Sequence, residues 1–188
     1  MITTLKNKGY TVSEFATAAQ AADYLDKQID GVSVGIGGSV TIDSMGLYDR
    51  LNRHNTVHWH WKGGDATQAA VADVYLSSVN ALAETGEIIN IDGIGNRVAS
   101  ILYGHKKVYL IIGRNKIAPD FAAALDRARN VAAPLNAKRL GMNTPCVKTG
   151  RCMDCNSPQR ICKELAVLWG CPMKAEIELI LIRENLGY

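Results

Sequence analysis

Val32-Ser33-Val34-Gly35-Ile36 followed by Gly37-Gly38-Ser39-Val40-Thr41 is the stretch on which the fold turns. The first five residues form a short apolar run of strand length, and the glycine pair breaks it. A helix is expected to follow from about Val40 to Leu51. Glycines between a strand and a helix let backbone N–H groups approach an anion, and Ser39 and Thr41 add hydroxyls. The plainer alternative is a tight turn in which Ser39 only caps the helix. The stretch is not a P-loop, because no Gly-Lys-Ser/Thr ending is present.

The same alternation extends in both directions. Ser13 to Ile29 has helical spacing, with Ser13 expected as its N-cap. Val57 to Trp61 alternates with period two, which predicts a strand with His58 and His60 on one face and Trp59 and Trp61 in the core. A metal pair at His58 and His60 is disfavoured, since no third donor lies nearby in sequence. Asp65 is expected to cap an alanine-rich helix reaching about Ser78. Glu87 to Ile91 and Lys107 to Ile112 read as strands, and Asn96 to Leu102 as a helix. Pro119 marks a further helix start, with Pro134 kinking or restarting that helix before Leu140. A helix through Leu165 to Leu168 and a strand from Ile177 to Ile182 complete the pattern. It predicts an α/β fold with an open, mainly parallel sheet covered by helices on both faces. Residues 1–188 are expected to form one domain, with a cysteine-rich insertion at 144–163.

Bulk properties exclude several classes. The chain is 47% hydrophobic and 21% charged, with a net charge of +3, too small and too dispersed to suggest nucleic-acid binding. Its apolar strings are too short to span a bilayer, and no secretory signal is recognised at Met1 to Tyr10. A cytoplasmic protein is therefore expected. There, five cysteines argue for metal binding, redox chemistry or burial over a disulfide framework.

Four of those five thiols, Cys146, Cys152, Cys155 and Cys162, fall within seventeen residues rich in Pro, Gly, Asn and charge. Loop composition of this kind offers a thiol little apolar surface, so clustering points to a shared metal centre. An iron–sulfur cluster, a structural zinc site and metal-free thiols compete. Only Cys152 and Cys155 have the close spacing of a zinc knuckle, so the uneven pattern suits a cluster better. Cys171 stands apart.

Other polar residues fall at predicted strand ends. Asp92-Gly93-Ile94-Gly95-Asn96-Arg97-Val98 imitates a dinucleotide fingerprint, but Val98 occupies the third small position. A second anion-facing turn, with Asn96 and Arg97 directed at the same pocket as Gly37 and Gly38, is more economical. Glu84, at a turn before the next strand, is a candidate base or nucleophile. Asn115 and Lys116 end another strand and bring a cation to the rim.

Gly37-Gly38-Ser39-Val40-Thr41 with Met45-Gly46-Leu47, then Glu84-Thr85-Gly86, Gly95-Asn96-Arg97 and Gly113-Arg114-Asn115-Lys116, together resemble the LUD (lactate-utilisation domain, LutC/YkgG-like) family. Ala132 to Arg139 and Thr144 through Cys162 resemble its cysteine-motif subset. The resemblance implies a NagB/RpiA/CoA transferase-like fold with a pocket at the strand ends. It also implies a role in oxidation of lactate or related acids alongside oxidoreductase partner subunits. The reading that follows is a pocket for a small anionic metabolite or cofactor, lined by Gly37, Gly38, Ser39, Thr41, Asn96, Arg97, Asn115 and Lys116. Cys146, Cys152, Cys155 and Cys162 would hold an iron–sulfur cluster. The alternatives are acyl transfer of the CoA-transferase type on Glu84, and a zinc-stapled, non-catalytic subunit.

Overall fold

Short apolar runs, each ended by a glycine or a polar turn, follow one another through residues 1–188, all described by the computed structural model. The first half of the chain holds α1 (Ile2–Asn7), β1 (Thr11–Phe15), α2 (Ala18–Gln28), β2 (Ser33–Ile36), α3 (Val40–Ser44), α4 (Leu47–Leu51), β3 (Thr56–His58), α5 (Ala66–Ala69) and β4 (Val74–Ser77). The second half continues with β5 (Ala81–Ala83), β6 (Ile88–Asp92), α6 (Asn96–Leu102), β7 (Lys107–Gly113), β8 (Ile117–Ala118), α7 (Phe121–Arg127), α8 (Ala133–Arg139), α9 (Pro145–Thr149), β9 (Glu164–Leu168) and β10 (Ile177–Ile182).

Six strands form one wholly parallel sheet in the order β1-β10-β7-β4-β2-β3. Its central strands are buried on both faces, which is why β7 and β10 read as unbroken aliphatic runs. On one face Tyr109 and Ile111 of β7 meet Leu25 of α2, Ile42 of α3 and Leu47 of α4. On the other, Val108, Leu110 and Ile112 meet Leu5 of α1 and Ile101 of α6. Each such side chain, fully buried, contributes roughly 1.5–3 kcal/mol. The α/β class and the parallel sheet therefore agree with the reading of the sequence.

A second sheet was not foreseen. Strands β8-β5-β6-β9 pair in that order, with β5–β6 and β6–β9 antiparallel. Leu82, Ile88 and Leu168 turn toward the parallel sheet, while Ala81, Ala83 and Ile89 pack against Ala124 of α7 and Ala128 beyond it. One face of the main sheet is thus covered partly by strands.

Several local expectations are corrected. Glu164 to Leu168, expected as helix, is β9: pairing with β6 outweighs the helix preference of Glu, Leu and Ala. The helix expected from Asp65 to Ser78 stops at Ala69, because Val74 to Ser77 are taken into the sheet between β2 and β7. Asp65 does cap it. Ser13 lies in β1 and donates to Glu178, while Thr17 caps α2 through a reciprocal box with Gln20. The helix expected over Val40 to Leu51 is two helices, divided at Gly46, whose φ of 63° is left-handed. The strand expected to Trp61 ends at His58 and passes into a 3₁₀ turn at His60–Lys62. Pro134 restarts α8 after a π-helical turn at Ala128–Ala132.

Candidate functional site

After β2 the chain runs outward to β3; after β4 it leaves the sheet on the way to β7. The connections from these two neighbouring strands diverge, and in an open α/β sheet that is where a crevice forms. A cavity of about 480 Å³ occupies the crevice. Gly38, Ser39 and Thr41 follow β2 into it, Ser78 and Asn80 follow β4, and Lys116 follows β7. Asn96 and Arg97 enter from the start of α6.

Lys116 forms the floor of this cavity and is only 3% exposed. Its Nζ donates to Thr41 Oγ1 (3.0 Å) and Ser78 Oγ (2.9 Å). Those hydroxyls in turn donate to the carbonyls of Leu186 (3.2 Å) and Ile111 (2.6 Å). No carboxylate offsets the lysine. Burial first, then the charges of Arg127 and Arg97, bring its pKa down from 10.5 to about 7.

Arg97 is committed to the framework. Its guanidinium donates to the carbonyls of Ser78 and Ile91 and to the side-chain oxygens of Asn80 and Asn90, with Asp92 3.9 Å away. It fastens the β5–β6 hairpin to the end of β4 and supplies a fixed positive field at the cavity. Ser39 accepts from the N–H of Ile42 as a cap, and it also faces the cavity.

Gly37 and Asn115 act from behind the wall. A Cβ on Gly37 would lie 2.6 Å from Tyr75 Oη and 3.1 Å from Arg97 Cγ, so only glycine lets these three elements close together. Asn115 anchors the C-terminal tail by donating to Gly187 O and accepting from Leu186 N–H. Glu84 is exposed on the turn at the far end of the β5–β6 hairpin and does not border the cavity.

The reading of the sequence missed the outer wall. Trp61 stacks on buried Trp59 with ring centres 5.4 Å apart, and Arg139 lies 4.6 Å over the Trp61 ring. Asn136 accepts from both Arg139 and the Tyr188 hydroxyl. Ser78 and Asn80 were also missed. They follow β4, whose sequence continues the pattern of the alanine-rich helix before it, so no strand-end signal marks them.

The four cysteines converge. Cys146, Cys152, Cys155 and Cys162 all line one small recess, and Ala133, Arg160 and Ile161 border both this recess and the large cavity. The π-helical turn projects Arg129 to Cys152 Sγ (3.8 Å) and Asp154 (3.1 Å). Arg160 donates to Cys162 Sγ (3.4 Å) and to the carbonyl of Cys155 (2.9 Å). Nowhere do three His, Cys, Asp or Glu side chains close on a point suited to a single ion, His58 and His60 included. Cys171 lies elsewhere, against Gly9, with its thiol pushed up by burial.

No helix is long and apolar enough to cross a membrane. No curated protein matches the sequence. Among solved structures, a DUF162 family protein from Deinococcus radiodurans superposes with a TM-score of 0.55 at 15% identity, covering 96% of this chain and 93% of that one. The beta subunit of eIF2B from Chaetomium thermophilum reaches a TM-score of only 0.38 at 14% identity, over 55% of this chain and 40% of that one. The LUD domain model matches residues 1–182, nearly the full length, and the chain belongs to the LUD domain family.

Proposed function

We propose that this LUD-domain protein serves lactate or related organic-acid utilisation by binding a small anionic metabolite or cofactor beside an iron–sulfur cluster, in association with oxidoreductase partner subunits. The observation that carries the reading is the shared wall of Ala133, Arg160 and Ile161 between the lysine-floored cavity and the cysteine recess. A ligand in the first would sit within one side-chain layer of the second.

The cavity favours an anion on electrostatic grounds. Lys116 and Arg97 line it, Arg127 lies behind them, and its one lining carboxylate, Asp92, faces Arg97 at 3.9 Å. A carboxylate would offset the cost of holding these charges out of water.

The cysteine recess brings four thiols to one lining, and a cluster of the four-iron type takes one thiolate on each iron. The donors from Arg129 and Arg160, with the Asp154 N–H 3.5 Å from Cys152 Sγ, are the contacts that stabilise thiolate charge and tune a cluster's potential. When bound, such a group would supply one-electron transfer. The chain's own residues would position the anion beside Lys116, through the Ser39 hydroxyl and the Asn80 amide, and screen it from water behind Trp61 and Tyr188.

Anaerobic purification with iron, sulfide and zinc analysis tests the reading. Iron and sulfide with a broad band near ~400 nm, lost in Cys152→Ser, is the expected result. Zinc at one equivalent would overturn the cluster assignment.

A further inference from the structure

The hydrogen bonding around Lys116 accommodates a neutral side chain. The hydroxyl hydrogens of Thr41 and Ser78 are committed to backbone carbonyls, so both oxygens can only accept from Nζ. An ammonium has three hydrogens to place, and these two oxygens take two of them. A neutral amine has two hydrogens, and both are satisfied. Its lone pair then occupies the remaining tetrahedral position, beside the cavity that Lys116 borders. The surrounding charges favour the same form: Arg97 from α6 and Arg127 from α7 are permanent cations, and no Asp or Glu is paired with Nζ. A buried amine presented in this way is an activated nucleophile toward carbonyl carbon.

We propose that Lys116 forms an imine with the carbonyl of a 2-oxo acid held in this cavity. The inference rests on the anion-binding role proposed above and names the substrate class. A carboxylate next to the carbonyl would meet donors that the protein leaves free. Asn80 accepts from Ile91 N–H and Arg97 through its side-chain oxygen, so its amide N–H₂ is uncommitted. The Ser39 hydroxyl accepts from Ile42 N–H and keeps its own hydrogen to donate. The apolar outer wall of Trp61, Leu140 and Met142 leaves room for a substituent on the oxo acid. In the reaction Nζ bonds to the carbonyl carbon. The carbonyl oxygen departs as water with both amine hydrogens, and the imine nitrogen then takes a proton from solvent. No oxidant or reductant is consumed.

The test uses the intact protein with pyruvate or phenylpyruvate. Sodium borohydride would trap the imine as a stable secondary amine, read by intact mass and located by peptide mapping. Calorimetry of the same compounds without borohydride reports binding alone. The expected result is one adduct, on the peptide containing Lys116, lost in Lys116→Met and forming faster as the pH rises through about 7. Mapping in the unaltered protein identifies the lysine even if the variant folds poorly. Binding without an adduct, or adducts on other lysines, would overturn the imine and leave the anion cavity standing. Neither binding nor an adduct would overturn both.

Discussion

Lys116 concentrates the chemistry of this protein in one side chain. It is placed by a 3₁₀ turn, Arg114–Lys116, at the end of β7, and held by hydroxyls from two other strand ends. Its lowered pKa has a consequence for stability. Because the folded value of about 7 lies below the ordinary 10.5, the unfolded chain binds more protons between those values, and stability rises with pH across that window. The penalty of the buried charge is therefore full below pH 7 and gone above pH 10.5. Replacing the lysine removes that penalty, while leaving Thr41 and Ser78 without their donor costs about 1 kcal/mol. Lys116→Met is expected to raise the urea midpoint at pH 6, by on the order of 1–3 kcal/mol of stability, and to lower it slightly near pH 10. Denaturation of both proteins at the two pH values checks the sign.

At the scale of elements, the β5–β6 hairpin carries the most information about how the site is assembled. Neither strand is long enough to specify its own partners. Ala81–Ala83 has three residues, and its register depends on β6, on β8 and on Arg97 holding Ser78 and Asn80 of the loop before it. Arg97→Met would leave four buried or half-buried acceptors, on Ser78, Asn80, Asn90 and Ile91, without that donor. A loss of about 2–4 kcal/mol in denaturant unfolding is expected, together with weaker anion binding in the cavity. The elements that were misread share one cause. Glu164–Leu168 and Val71–Ser77 have helix-tolerant compositions, and only the neighbouring strands turn them into sheet. By contrast Asn96–Leu102, Lys107–Gly113 and Ile177–Ile182 were legible within a residue or two, because their apolar pattern and bounding turns are local.

For the molecule as a whole, the parallel sheet is a rigid platform, and the cysteine loop is a lightly held appendage beside α8 and β6. Between Gly150 and Lys163 the only main-chain to main-chain bonds are Gly150 N to Cys146 O, Arg160 N to Ser157 O and Lys163 N to Asp92 O. Arg151 is exposed in this stretch, and Lys148 is exposed just before it in α9. Segments with so few backbone bonds open at low free-energy cost. Trypsin is expected to cut first at Lys148 or Arg151 in metal-free protein. Anaerobic reconstitution with iron and sulfide should slow that cut by roughly tenfold or more, as a ligand bound only to the closed loop would. Equal rates with and without metal would contradict the proposed cluster.

The sequence alone determined what depends on local order along the chain: the α/β class, the long buried strands, the glycine turn after β2, and a thiol-rich loop. Periodicity, chain-breaking glycines and side-chain chemistry act between near neighbours, so they can be read in one dimension. Tertiary structure alone decided which strand ends meet. It joined Thr41, Ser78 and Lys116, separated Glu84 from them, and set Gly37 and Asn115 behind the wall. It also recruited Trp61 and Arg139 as the outer face and brought the thiol recess against the same wall. Those outcomes depend on sheet order and on the pairing of short strands, and such contacts between residues dozens of positions apart leave no periodic trace in the sequence.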